Sequence, residues 1–126
     1  MEDKIEINEY VRTNKGRIGK VAEIRLGFNK DLQVYQDIYI LDNGLWTILD
    51  YIVKHSKNLI DLIECGDFVN GYKAISVDYD VMNDTTECIE LDLNSNYKYN
   101  FISIRQIQTI LTKEQYMANC YKVGGE

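Results

Sequence analysis

Proline is absent from all 126 residues, which spares every strand or helix interior a missing amide donor and so decides nothing between the two. No run of about 18 apolar residues occurs, which excludes a membrane-spanning helix. The first ten residues, MEDKIEINEY, lack the basic and apolar segments of a secretory signal. A single histidine, His55, cannot assemble a typical metal site, where several ligands converge. It also has no G-x-S-x-G or comparable context for a Ser-His-Asp arrangement, and is read instead as part of a helix start beside Ser56. Cys65, Cys88 and Cys120 form an odd set without C-x-x-C spacing, which points to free thiols in a reducing compartment. The eight glycines never cluster as a phosphate-cradling loop. The acidic stretch 78–84 fails as a calcium loop. Met82 stands where an oxygen ligand is needed, Asn83 where the glycine turns, and Ile89 where the bidentate glutamate belongs. No cofactor, metal site or catalytic residue is expected, and an enzyme is disfavoured.

What is abundant points to strands. Sixteen isoleucines, eight valines and ten tyrosines suit a pleated, half-buried surface, although a genome rich in AT codons would enrich the same residues. The length fits one domain, and 45% apolar with 27% charged residues is an ordinary globular balance. Apolar positions suited to strands run through 5–13, 18–26, 32–41 and 45–53, the last of which could also be helical. They are separated by Asn14-Lys15-Gly16, Asn29-Lys30-Asp31 and Asp42-Asn43-Gly44, with an irregularity near Gly19-Lys20. Asn43-Gly44 and Asn70-Gly71 are strong hairpin signals, because both residue types tolerate the positive φ of a type I′ turn. Ser56 is a candidate N-cap for a short helix over 59–63. Thr112 with Gln115 fits a capping box opening a second helix through about 119. Strands are also expected over 75–79, 88–93 and 97–104, with a turn at 94–96, an ambiguous 107–111 and a frayed Gly-Gly end. The expected fold is mainly β: a small barrel or rolled antiparallel sheet with one or two short helices, in a single domain spanning 1–126.

Charge is uneven. Residues 10–30 carry Arg12, Lys15, Arg17, Lys20, Arg25 and Lys30 against only Glu23, whereas 61–95 carry nine acidic residues against only Lys73. The net charge of −6 disfavours general nucleic-acid binding, yet a local positive field is compatible with it. Only four arginines occur, and their planar fork grips phosphate where lysine acts as a point charge. Arg12, Arg17, Arg25 and Arg105 are therefore candidate anion ligands. Alternation places Arg105 on the face of Phe101 and Ser103. Trp46 and Phe101 are candidate stacking rings, although packing in a core is the commoner task of such rings.

Residues 52–73, IVKHSKNLIDLIECGDFVNGYK, and 112–123, TKEQYMANCYKV, resemble a group of small β-rich proteins encoded by phages and prophages of Gram-positive anaerobes; 10–24, YVRTNKGRIGKVAEI, resembles their opening hairpin. In size and character the chain is similar to the anti-Thoeris signal sponges. Those bind a cyclised ADP-ribose messenger of bacterial immunity without cleaving it. The resemblance implies a phage protein acting in the host cytoplasm. It further implies a homo-oligomer with ligand pockets at subunit interfaces, in which adenine stacking and arginine–phosphate contacts hold the nucleotide. No membrane contact is expected, because the chain has no long apolar run. Two other readings remain open. One is a protein–protein inhibitor of a host defence complex, anti-CRISPR-like, motivated by the acidic stretch. The other is an SH3-like nucleic-acid-binding module, motivated by the basic strand–turn–strand 10–24.

Overall fold

The computed structural model describes residues 4–80, 82, 85–93, 101–120 and 123. The chain divides into two compact units, Met1–Leu62 and Ile63–Glu126. It is mainly β, as its composition leads one to expect, with one five-stranded antiparallel sheet in each unit. Neither sheet closes into a barrel among the described residues, so the rolled-sheet alternative is the one realised. No helix among the described residues is long and apolar enough to cross a membrane.

In the first unit the order along the sheet is β4-β3-β2-β1-β5. The strands are β1 Tyr10–Thr13, β2 Ile18–Asn29, β3 Val34–Leu41, β4 Trp46–Ile48 and β5 Ile52–Ser56. One 3-10 turn, Leu49–Tyr51, precedes β5, and a second, Leu59–Leu62, follows it. Ile5, Val11, Val21, Tyr39 and Leu41 make the core, with Ile24, Leu45 and Ile52 packed against it. Each such aliphatic side chain contributes about 1.5–3 kcal/mol when fully buried. Val21 opposes Leu41 and Ile24 opposes Tyr39, with a register shift between Val21 and Glu23. That bulge is the irregularity expected near Gly19-Lys20, placed a little later in the strand. Gly19 itself is needed for space: a Cβ there would meet the Leu41 Cβ and Cδ1 at 2.9 Å.

Two expectations for this unit are corrected. The apolar run 45–53 is not one strand, because β4 ends at Ile48 and β5 returns to pair with β1, Val11 opposite His55. His55 accordingly lies on a strand rather than at a helix start, while the short turn expected after Ser56 is present as the 3-10 turn Leu59–Leu62. Ser56 still works locally: its Oγ accepts from the Asn58 amide at 3.0 Å and donates to Asp61 Oδ2 at 2.6 Å. At Asn43-Gly44 only the glycine has positive φ, 86°. Gly44 N–H donates to the Leu41 carbonyl and Leu41 N–H to the Leu45 carbonyl, a longer glycine-bulge turn rather than type I′.

In the second unit the order is β10-β6-β7-β8-β9. The strands are β6 Phe68–Val69, β7 Tyr72–Asp80, β8 Thr85–Leu91, β9 Phe101–Ile102 and β10 Ile110–Leu111, followed by helix α1 Lys113–Asn119. Asn70 and Gly71, at φ 54° and 87°, form the expected two-residue hairpin turn. Thr112 caps α1 as expected, its Oγ1 accepting from the Gln115 amide at 3.3 Å. Buried Asp67 binds the segments on either side of it: Oδ2 accepts from the Glu64 amide at 2.8 Å and Oδ1 from the Lys113 amide at 2.9 Å. The strand expected over 97–104 is limited to β9 among the described residues, since a 3-10 turn at Ile104–Gln106 ends the alternation. Phe101 and Arg105 therefore do not share a strand face. The turn expected at 94–96 and the Gly-Gly end lie outside the described residues.

Candidate ligand-binding site

The β1–β2 turn is built tightly. Thr13 N–H donates to the Arg17 carbonyl and Gly16 N–H to the Thr13 carbonyl, both at 2.9 Å. The Arg17 amide also reaches Thr13 Oγ1 at 3.1 Å. Gly16 adopts φ 78°, the left-handed position such a turn demands of one residue. The turn is held to the β4–β5 connection by Asn14 N–H, which donates to the Tyr51 carbonyl at 2.8 Å.

Between these two segments lies a cavity of about 320 Å³. Lys15 and Arg17 enter it from the turn, Trp46 from β4 and Tyr51 from the 3-10 turn, and Thr13, Asn14 and Thr47 supply polar walls. No carboxylate is among these lining residues. Trp46 is 64% and Tyr51 51% exposed, so neither ring is committed to the core and both keep surface for a ligand. The volume is at the lower end of small-molecule sites, room for one base with a phosphate. Two cations with two open rings can grip an anion and stack a planar group.

The six candidate residues are sorted by this geometry. Arg17 and Trp46 meet in the cavity. Arg12 has no exposed surface, and its Nη1 donates to the Leu62 carbonyl at 2.9 Å, tying β1 to the last turn of its own unit. Arg25 is exposed and its Nε lies 2.7 Å from Glu23 Oε2. That bond lowers the Glu23 pKa and raises that of Arg25. Arg105 is exposed on the Ile104–Gln106 turn, and Phe101 sits on β9 opposite Glu90; both belong to the second unit. Lys15 and Tyr51 are site residues that sequence reasoning did not single out. Lys15 stood only as one of the basic group, and Tyr51 carried no local signal at all.

His55 also has a role its sequence context did not show. Its Nδ1 lies 2.7 Å from Glu9 Oε1, while Glu9 Oε2 accepts from the Glu6 amide at 2.9 Å. Glu9 is 6% exposed, so the pair fastens the N-terminal turn to β5. Among the described residues no group of three or more His, Cys, Asp or Glu side chains could hold a metal ion.

Compared with known proteins, the chain matches no family model, no curated protein and no solved structure.

Proposed function

We propose that the chain is a non-catalytic binding protein that captures a small phosphate-bearing nucleotide in the cavity between the β1–β2 turn and the β4–β5 connection. The observation that carries this reading is the meeting of Lys15 and Arg17 with Trp46 and Tyr51 around one cavity whose lining holds no carboxylate. Arg17 supplies the fork for phosphate oxygens and Lys15 a second positive charge. Trp46 and Tyr51 supply faces for the base. Capture needs no base, nucleophile or metal, only affinity below the concentration at which the ligand acts.

The resemblance of 52–73 and 112–123 to phage proteins sharpens the ligand to a cyclic ADP-ribose-like messenger of anti-phage defence, sequestered in the host cytoplasm by a homo-oligomer. The cavity takes only the base and one phosphate of such a ligand, and the remainder lies outside it. Calorimetry with cyclic ADP-ribose isomers tests this. Stoichiometric uptake with intact ligand on release is expected, weakened at least about tenfold, or about 1.4 kcal/mol, by Arg17→Ala or Trp46→Ala. No heat with any of several cyclic nucleotides overturns the reading, and turnover products overturn its non-catalytic part.

A second reading is favoured by one observation. The strand order β4-β3-β2-β1-β5, with a 3-10 turn before the last strand, is the connectivity of SH3-like modules, some of which bind nucleic acid; the warrant is fold analogy. In that case an oligonucleotide binds better than a mononucleotide, and affinity falls steeply with salt. A mononucleotide that binds as well as the oligonucleotide excludes it.

A further inference from the structure

The side chains around the cavity of the first unit differ in what they can still offer a ligand. Lys15 and Arg17 carry donors only, and Trp46 a single indole N–H. Thr13 is 7% exposed, and its Oγ1 already accepts from the Arg17 amide at 3.1 Å. Thr47 is 5% exposed, and its hydroxyl donates to the Ile48 carbonyl at 3.4 Å. Tyr51 adds one hydroxyl oxygen. Asn14 alone among them places an acceptor and a donor side by side in one plane.

The fold makes no use of that pair. Asn14 is exposed, and its side chain makes no hydrogen bond with any described residue. Its φ is not positive, so the backbone there does not call for an asparagine. What the structure takes from residue 14 is the main-chain N–H, donated to the Tyr51 carbonyl at 2.8 Å, which any residue except proline supplies. The same bond sets the Asn14 backbone against Tyr51, while Lys15 follows it in the chain. The carboxamide thus starts from between a cation and a ring.

Phosphate oxygens only accept, and Lys15 and Arg17 serve them without help from an acceptor. The edge of a base is different, because it sets a donor next to an acceptor. A carboxamide answers both at once, as in its two-bond pairing with the amino group and N7 of adenine. We propose that Asn14 is the specificity-determining residue of the cavity and that it reads the edge of the base whose face lies on Trp46 or Tyr51. The ligand class is thereby narrowed from a planar anion to a nucleotide whose base offers a donor beside an acceptor.

This role rests on the nucleotide reading of the cavity, and the experiment separates the two. The probes are AMP, GMP and ribose 5-phosphate, titrated into the full chain and followed by the NMR signal of the indole N–H of Trp46, the only tryptophan. Asn14→Ala is expected to weaken AMP binding at least about fivefold, the low end for a two-bond amide–base pair. Ribose 5-phosphate, which has no base, is expected to bind that variant as it binds wild type. Asn14→Asp presents acceptors only, which suits the N1–H and amino donors of guanine and repels the ring nitrogens of adenine. The ratio of GMP to AMP affinity is therefore expected to rise at least about tenfold over wild type. Both nucleotides carry the same phosphate, so the added negative charge cancels from that ratio. Far-UV circular dichroism of both variants is expected to match wild type. Unchanged AMP affinity in Asn14→Ala, equal losses of AMP and ribose 5-phosphate, or an unchanged ratio in Asn14→Asp overturns the role of Asn14 alone. A wild-type chain that binds none of the three probes overturns the nucleotide reading itself.

Discussion

Asn70 is the side chain on which the second unit most visibly turns. It sits at φ 54°, in a region that costs most residues about 1 kcal/mol or more. Its Nδ2 donates to the Gln106 carbonyl at 2.8 Å, and its Oδ1 accepts from the Gln108 and Thr109 amides at 2.7 and 3.1 Å. One amide thereby fastens 106–109 beside the β6–β7 hairpin and sets β10 against β6. The bonds are reachable by solvent, so each is assigned about 0.7 kcal/mol, in the lower half of the usual net value, and the three together contribute about 2 kcal/mol. Asn70→Gly keeps the turn and loses the bonds, costing about 2 kcal/mol. Asn70→Ala also places a Cβ in the left-handed region, for a total of about 3 kcal/mol. Asn70→Asp keeps both acceptances and loses only the donor, costing about 1 kcal/mol. Denaturant unfolding followed by far-UV circular dichroism gives the order Ala, Gly, Asp from most to least damaging. Amide exchange at Gln108 and Thr109 is expected to quicken in the Ala and Gly variants and to change least in Asp. Trp46, the only tryptophan, lies in the first unit and its fluorescence serves as an internal control. Equal losses in all three variants, or changes within about 0.5 kcal/mol of wild type, refute the accounting.

Three further outcomes are expected. Gly16→Ala forces a side chain into φ 78° at a cost of about 1 kcal/mol, and weakens calorimetric ligand capture without removing any lining group; unchanged affinity means the turn does not position Lys15 and Arg17. Gly19→Ala pushes on Leu41, which is 3% exposed, and lowers stability by about 1–3 kcal/mol in denaturant unfolding, with a stability-neutral variant as the refuting result. Glu87 has its pKa raised, first by a side-chain hydrogen bond to Asp80 and then by the charges of Asp80 and Asp78. A carboxyl raised in the folded state favours folding while protonated, and that contribution is lost as pH rises through its folded pKa. Asp80→Asn is expected to bring the Glu87 midpoint back toward the ordinary carboxylate range in an NMR titration, and an unmoved midpoint rejects the pairing.

The turns were legible because their chemistry is local. Gly16 and Asn70-Gly71 sit where positive φ is required, and Thr112 caps the helix it precedes. The strands of the first unit were legible from alternation, up to the run 45–53. That run reads as one strand or as a helix, because nothing within it marks a break. The break arises because β4 must pair with β3 while β5 must pair with β1, and such a demand is carried by residues far away in sequence. The site suffered from the same non-locality. Arg17 and Trp46 were both candidates, but only the pairing order places the β1–β2 turn beside the end of β4. Tyr51 has no pattern that distinguishes a cavity ring from a packed one.

The basic stretch 10–30 shows why counting charges was a poor guide to where an anion would sit. Arg12 is turned inward onto the Leu62 carbonyl, Lys20 lies 5.7 Å from the centre of the Tyr10 ring, and Arg25 is matched by Glu23. What distinguishes Lys15 and Arg17 is the company they keep, a cavity wall of hydroxyls, amide and rings with no carboxylate in it. A chain of net charge −6 repels anions at long range, so affinity for one must come from such a local arrangement and from its rigidity. The rigidity is supplied by backbone: the Thr13–Arg17 and Asn14–Tyr51 bonds fix the turn before any ligand arrives. On the proposed reading less conformational entropy is then lost on binding, and the two cations of the cavity are the ones that hold the anion.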